Sequence, residues 1–369
     1  DWTGPHLNRP DDEVTHWDGP VAWNFFGKSA QADEDYLLRH VVLACLAGID
    51  ALAAQPAVDA HRIGIQGVSW GGFIGWAVGG LDDRVKAIVP VYGVGSLARH
   101  EGGVGEELRA LGADLLEAWT RRFDPEAWAQ RVRAPLFLLN GTNDFYGVLA
   151  VGEERLKQVA ARGVPVWRSY SPNRSHNLSP ESVDAAMAWL AAQLGSDPEP
   201  FPREPTIELV AEDGQLWAII QPDIEARVED VAVDFSRGEH SWLLRAWLRI
   251  PAEPVGAGKW RAPIPLVHLS DPVEAIGQVR YRELGMLSSP VARTLPSLEP
   301  GLRPSEVSSD TLIDWGSRPE SWYIVYATDF FHTRMPQTTL TTATLGAEQW
   351  TGITFDPWRD LNSVRIATR

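Results

Sequence analysis

Three residues far apart in the chain, Ser69, Asp144 and His176, each follow an apolar run that reads as a strand. A serine hydroxyl is a poor nucleophile near neutral pH. It needs a base within hydrogen-bond reach, and the base needs a partner that fixes its orientation. An imidazole and a carboxylate are those two parts, and the chemistry of such a trio is attack on an acyl carbon. The strongest local signal is residues 62–72, Arg-Ile-Gly-Ile-Gln-Gly-Val-Ser-Trp-Gly-Gly. Within it, Gly67-Val68-Ser69-Trp70-Gly71 fits G-x-S-x-G, in which a buried strand turns sharply into a helix. That turn strains the serine backbone, and Gly67 and Gly71 are expected to keep Cβ atoms out of the crowded space beside it. Ser69 would project at a helix N-terminus, where the dipole and N–H groups favour negative charge. The backbone N–H of Trp70 is the expected oxyanion donor.

The other two residues sit in matching contexts. The run Leu136-Phe137-Leu138-Leu139-Asn140 leads into Gly141-Thr142-Asn143-Asp144, a short turn that would leave the Asp144 carboxylate at a strand end. The strand ending at Tyr170 leads into Ser171-Pro172-Asn173-Arg174-Ser175-His176, a loop from which the histidine can reach back to Ser69. His176 would take the serine proton and later deliver it to the leaving group; Asp144 would fix the imidazole tautomer. Taken singly, Asp144 reads equally as a turn aspartate, and His176 is one of nine histidines. Their order, each after its own strand, is what favours the triad. Tyr92, Phe145 and Tyr146 stand at strand ends where they would line an acyl or alcohol site, and Asn173 and Arg174 would touch a polar substrate. Each reads equally as a loop-packing residue. No H-E-x-x-H, Cys/His cluster, Walker loop or G-x-G-x-x-G after a strand occurs, so no metal and no cofactor are expected.

The elements that must position these residues follow from hydrophobic period. Residues 1–196 alternate helical and strand patterns. Helices are expected over 35–54, 70–78, 106–121, 124–131 (with Asp124 as N-cap and Pro125 first in the helix), 152–161 and 180–194. Strands are expected over 63–67, 85–91, 136–140 and 164–170. Strands separated by helices imply a parallel sheet covered on both faces. Residues 195–205 hold four prolines and read as a linker, placed at 197–205. Beyond it, over 206–369, the period becomes two. A hairpin is expected at 206–221 around Asp213-Gly214, with further strands at 231–235, 241–250, 265–269, 277–282, 322–327, 338–342, 350–355 and 363–367. Residues 290–309 read as an irregular loop. Many short strands without helices point to a β-sandwich or jelly roll.

Composition narrows the partners. A net charge of −16 argues against nucleic acid and against anionic membrane surfaces. No apolar run approaches membrane-spanning length. The lone Cys45 falls on the apolar stripe of the first helix and reads as a buried thiol. Of 17 tryptophans, eight lie after residue 206. Aromatic faces stack on sugars, but in a run such as Ser241-Trp242-Leu243-Leu244-Arg245-Ala246-Trp247 tryptophan more commonly fills a core.

The phrases Val58-Asp59-Ala60-His61-Arg62-Ile63-Gly64-Ile65, Asp83-Arg84-Val85-Lys86-Ala87-Ile88-Val89-Pro90 and Asn140-Gly141-Thr142-Asn143-Asp144 carry a resemblance over residues from about 30 to 195. This stretch resembles the catalytic domain of α/β hydrolases, in the branch that holds prolyl-oligopeptidase-like peptidases, dienelactone hydrolases and acetyl xylan esterases. The layout with a β-rich tail is also similar to PhoPQ-activated pathogenicity-related proteins. Residues 350–366 resemble, over a short span, the closing strands of jelly-roll carbohydrate-binding modules. The resemblance implies a serine hydrolase acting without metal or cofactor on a small-molecule or polysaccharide ester, with a secreted or periplasmic home by analogy alone. It implies two alternatives as well: a serine peptidase, and a non-catalytic carbohydrate-binding or scaffold protein with a vestigial triad. The family pattern also puts several strands before the serine turn. The opening residues Asp1-Trp2-Thr3-Gly4 resemble the loop after the fourth of them, so a missing N-terminal segment, or a partner chain, is expected to cover the edge at Ile63 and Ile65 and to supply the second oxyanion donor.

Overall fold

The computed structural model describes residues 36–100, 103–196, 200–223, 227–238, 242 and 245–305. The strands expected at 322–327, 338–342, 350–355 and 363–367 lie outside them, as do the opening residues. The first half forms α1 (Leu37–Ala53), β1 (Ile63–Val68), α2 (Trp70–Leu81), β2 (Val85–Val91), α3 (Gly103–Arg109), α4 (Ala113–Phe123) and α5 (Pro125–Trp128). It continues through β3 (Leu136–Gly141), α6 (Leu149–Ala160), β4 (Val166–Ser171) and α7 (Pro180–Leu194). The four strands pair in parallel in the order β1-β2-β3-β4.

Alternation along the strands sends successive side chains to opposite faces, and this sorts the helices. Ile65 and Ile88 meet α2 at Gly79, while Gly64 lies against Leu194 of α7. Phe137 packs on Trp189 of α7, with ring centroids 5.6 Å apart, while its neighbour Leu138 meets Gly152 of α6. So α2 and α6 cover one face and α7 the other. Sheet strands buried on both faces read as unbroken apolar runs, as in β3, where every residue is buried. Helix ends follow local chemistry. Ser179 caps α7 by accepting from the Ser182 amide at 3.2 Å, with Pro180 in the first turn. Asp124 caps α5 by accepting from the Glu126 amide at 2.9 Å.

Beyond residue 200 the structure forms two antiparallel sheets. One runs β5 (Thr206–Glu212), β6 (Gln215–Gln221), β10 (Lys259–Ile264), β9 (Glu253–Gly256). The other runs β12 (Gly285–Ser288), β11 (Val273–Tyr281), β7 (Val228–Arg237), β8 (Leu248–Pro251), with β13 (Ala292–Thr294) also on β11. The β5–β6 turn has φ +51° at Asp213 and +83° at Gly214, as an Asp-Gly hairpin requires. On β11, Gly277 faces the first sheet so closely that a Cβ there would lie 3.1 Å from Ile220. Its neighbour Gln278 faces the other way and donates to the Tyr170 carbonyl of β4 at 3.1 Å. The β11 sheet therefore lies between the β5 sheet and the parallel sheet. Ser288 accepts from the Tyr170 amide at 2.8 Å and donates to Gln278 at 2.8 Å. Two buried side chains thus satisfy the backbone groups of Tyr170 on the outer edge of β4, where an open edge would be a template for pairing.

Several expectations are corrected. The helix over 106–121 is two helices, broken before Gly112 at φ +84°. Of the strand expected at 241–250, the described residues show β8 at Leu248–Pro251; residues 245–247 are irregular, with Arg245 and Trp247 bonded to the parallel-sheet unit instead. Residues 265–269 form a loop, and the loop at 290–309 contains β13 and a 3-10 turn at Pro296–Leu298. Residues 200–205 are packed down: Trp167 donates to the Pro202 carbonyl at 2.7 Å, and Arg168 grips Glu204 at 2.7 and 3.0 Å. Cys45 is exposed. The described packing of α1 runs mainly through α2, and Leu43 and Leu52 of its apolar residues are exposed as well. Among the described residues β1 pairs with β2 alone, yet Ile63 is buried and Ile65 packs toward α2.

Ser288→Ala should leave the buried Tyr170 amide without an acceptor and lower stability by about 1–3 kcal/mol, read as a fall in denaturant midpoint. An unchanged midpoint would mean the β4 edge does not depend on this bond.

Candidate active site

Because the four strands are parallel, their C-terminal ends share one rim, and each end delivers one part of the site. At the end of β1, Ser69 sits at φ +59°, ψ −119°, a conformation costly for a residue with a side chain. The turn is tight enough that a Cβ on Gly67 would lie 2.2 Å from the Gly71 backbone, and one on Gly72 2.5 Å from the Val91 oxygen. A Cβ on Gly71 would meet nothing within 4 Å. The crowding expected at Gly71 falls instead on Gly72, because the helix turns Gly71 outward while its backbone presses on Gly67. The Ser69 amide donates to Val91 at 2.9 Å, and its carbonyl accepts from Phe73 at 3.0 Å. Trp70 is the first residue of α2, so its amide belongs to the helix N-terminus beside Ser69.

Asp144 follows β3 and is fully buried. One carboxylate oxygen accepts the amides of Tyr146, at 2.7 Å, and Gly147. The other lies 2.7 Å from Nδ1 of His176, which follows β4. A carboxylate only accepts, so Nδ1 carries the proton and Nε2 presents a lone pair, the tautomer a base needs. The imidazole packs against two rings, Tyr92 at 4.1 Å and Phe145 at 4.9 Å between centroids. Tyr92 also ties this pair to the serine: it directly follows Val91, whose carbonyl holds the Ser69 amide. The Ser69 hydroxyl and His176 make no hydrogen bond here; such contacts commonly close only with substrate bound.

The acid and histidine loops are bonded to each other. Thr142 donates its amide to Ser171 at 3.1 Å, Asn143 to Arg174 at 3.0 Å, and the Thr142 hydroxyl accepts the Asn173 amide at 2.9 Å. A Cβ on Gly141 would lie 2.3 Å from two carbonyls of the histidine loop, so only glycine permits this approach. Of the five residues expected to line a substrate site, Tyr92, Phe145 and Tyr146 gather around His176. The Asn173 amide group is instead taken up by the Trp247 backbone, at 2.7 and 2.8 Å. Arg174 contributes its carbonyl to the loop contact and keeps a half-buried side chain.

Sequence reasoning missed His100 and Trp242. The His100 ring stands 6.4 Å from both Tyr146 and Trp242, and Tyr146 stands 5.5 Å from Trp70. Asp124 holds the loop before His100 by accepting the amides of Ser96 and Leu97 at 2.8 and 3.3 Å. His100 is 4% exposed, and its buried Nε2 has no partner among the described residues. Burial, with a smaller push from Arg109 and Arg99, lowers its pKa from 6.5 to about 4. No local motif marks either residue; both reach the site through contacts distant in the chain. Among the described residues no cluster of His, Cys, Asp or Glu is arranged to hold a metal.

Residues 39–197 match the sequence model of the prolyl oligopeptidase family, less than half of the chain. An acetyl esterase of Xylanibacter ruminicola is 30% identical over 168 residues, 44% of this chain and 38% of that protein. The acylamino-acid-releasing enzyme of Sus scrofa is 27% identical over 168 residues, 40% of this chain and 23% of that enzyme. The chain thus spans well under half the length of either relative. Among solved structures, an acetyl xylan esterase from a Paenibacillus species aligns with a TM-score of 0.39 at 23% identity, over 43% of this chain and 54% of that one. The family match falls on the parallel sheet with Ser69 at its strand-to-helix turn, and the α/β-hydrolase fold expected from the sequence is the fold present.

Two predictions come from this geometry. Gly67→Ala should cost about 3 kcal/mol or more, whereas Gly71→Ala should stay within about 1 kcal/mol of the parent; urea denaturation distinguishes them, and equal losses would contradict the turn described. His100 has a folded pKa below its unfolded one, so its contribution to stability is complete above pH 6.5 and is lost as pH falls toward 4. His100→Phe should flatten the acid side of the stability–pH curve. A curve of unchanged steepness would mean that His100 is not held neutral.

Proposed function

We propose that this chain carries the catalytic unit of a serine hydrolase acting on carboxylic esters of the acetyl-ester type, including acetylated polysaccharide. Ser69 Oγ attacks the acyl carbon and gives its proton to Nε2 of His176. The imidazolium, held by Asp144, then protonates the departing alcohol, leaving an acyl group on Ser69. Water repeats the sequence in reverse: its proton goes to His176, its oxygen to the acyl carbon, and Ser69 is released. The Trp70 N–H is the assigned donor to the oxyanion that forms in both halves. The observation that carries this reading is the bond between His176 Nδ1 and the buried Asp144, on the rim that also presents Ser69 in a strained turn. The family match over residues 39–197 supports the same reaction class.

The acetyl esterase among the relatives favours an ester substrate, and the acylamino-acid-releasing enzyme favours a peptide one. Ester is preferred because, among the described residues, Tyr92, Phe145 and Tyr146 bring aromatic walls to His176 rather than an acidic pair to grip a peptide amino terminus. We read residues 1–196 as the hydrolase domain, 197–205 as the connection and 206–369 as a second domain built as a β-sandwich.

A fluorophosphonate probe should label the chain at Ser69. Ser69→Ala should abolish labelling and lower p-nitrophenyl acetate turnover by at least about 10⁴-fold with the fold intact by circular dichroism. Labelling that survives the substitution would end the proposal. Faster cleavage of an aminoacyl nitroanilide than of the acetate would transfer it to peptides.

A further inference from the structure

The β-rich unit does more than cover β4. Three of its residues, around 242–247, bond directly to the loops that carry Asp144 and His176. The indole Nε1 of Trp242 donates to the carbonyl of Asp144 itself, at 2.9 Å. On the acid loop, Asn143 donates its side-chain amide to the Trp242 carbonyl at 3.0 Å and to the Arg245 carbonyl at 2.6 Å, while its Oδ1 accepts the Thr142 hydroxyl at 2.7 Å. On the histidine loop, Asn173 exchanges two bonds with Trp247: its Nδ2 donates to the carbonyl at 2.7 Å, and its Oδ1 accepts the amide at 2.8 Å. Asn173 has φ +54°, a left-handed backbone that asparagine tolerates better than most residues. The segment is anchored in turn by Arg245, which pairs with Glu274 of β11.

We infer that Trp242, Arg245 and Trp247 of the β-rich unit are positioning residues of the active site, holding the acid and histidine loops so that the imidazole stands in the orientation proton transfer needs. This rests on the reading of Ser69, Asp144 and His176 as a triad. The physical reason is the character of the two loops. Both leave their strands as short irregular turns, and their mutual bonds fix them to each other but not to the rest of the molecule. Bonds to a third segment, which leads into β8 and pairs with β11 through Arg245, supply the outside reference. The Nδ2 groups of both asparagines and the Oδ1 of Asn173 are used in this way, while Asn143 Oδ1 stays within the acid loop. Trp242 adds a second restraint, since its ring stands beside His100 in the aromatic cluster. The hydrolase fold thus receives part of the support for its triad from residues about a hundred positions further along the chain.

The test uses the full chain and two variants. Trp242→Phe keeps the ring and removes the N–H bonded to Asp144. Asn173→Ala removes both bonds to Trp247. The first readout is the low-field proton resonance of His176 Nδ1–H, which reports the bond to Asp144 without any turnover. It should be present in the parent and shifted or broadened in both variants. The second is p-nitrophenyl acetate hydrolysis per active site titrated with fluorophosphonate. Turnover should fall about 10- to 100-fold, with KM within about twofold and a displaced acid limb of the kcat–pH profile. Trp217→Phe, on β6 beneath Arg261, should change neither readout. Folded variants with the parent resonance and full turnover per titrated site would overturn the inference. So would loss of the fold in Trp242→Phe, which would make its bond a structural one. If the parent takes no fluorophosphonate but loses its low-field proton in Trp242→Phe, the hydrolase reading fails and the positioning role stands.

Discussion

A carboxylate without exposed surface is tolerable only if its charge is met by donors, because an unpaired buried charge costs several kcal/mol. Asp144 is in that position, and its demand organises the rim. Its donors come from two sources, the amides of Tyr146 and Gly147 just beyond it and the imidazole of His176. The first source bends the chain after β3 into a tight turn. The second binds that turn to the loop after β4. Gly141 permits the approach, since any side chain there would strike the carbonyls of Arg174 and Ser175. Removing the carboxylate would leave two amides and an imidazole without their acceptor. Removing His176 would leave a buried charge held by amides alone.

The same economy of satisfied groups runs outward from the rim. The outer edge of β4 is met by Ser288 and Gln278, and the floor beneath it is a buried ionic group in which Arg168 contacts Glu153 and Glu204, while Tyr170 donates to Glu153. The bonds from Ser288 and Gln278 dock the β11 sheet against the parallel sheet. The Cβ that Gly285 lacks would collide with the first turn of α7, so the β11–β12 turn can press directly on that helix. Docking at β4 and bonding at the acid and histidine loops occur on adjacent parts of one interface. Within the described residues, the second half of the chain therefore behaves as part of the frame around the site rather than as a detached appendage.

What the sequence disclosed followed from local rules. The apolar runs at β1 to β4, the capped start of α7 at Ser179-Pro180 and the Asp-Gly hairpin turn are all written in neighbouring residues. So is the tight turn at Ser69, although the glycine that faces the crowding proved to be Gly72 rather than Gly71; residue spacing does not say which way each hydrogen points. Local rules failed where distant contacts decide the outcome. The run from Trp242 to Trp247 has strand-like composition, but backbone groups of Trp242, Arg245 and Trp247 bond to Asn143 and Asn173 and cannot also enter a ladder. Cys45 sits on an apolar stripe and is exposed although Val41 and Ile49, one turn to either side, are buried, so spacing alone did not place it. His100 carries no strand-end context, and only its depth among Tyr146 and Trp242 marks it.

The central claim is that Ser69, His176 and Asp144 converge so that a serine oxygen becomes reactive. The most direct measurement is a crystal structure of the chain after reaction with a fluorophosphonate. The account predicts phosphorus bonded to Ser69 Oγ, a phosphonyl oxygen facing the Trp70 amide, and His176 Nε2 within about 3.2 Å of an adduct oxygen, with the Asp144 contact retained. Phosphorus on another residue, or an imidazole turned away from the adduct with its Asp144 bond broken, would contradict it.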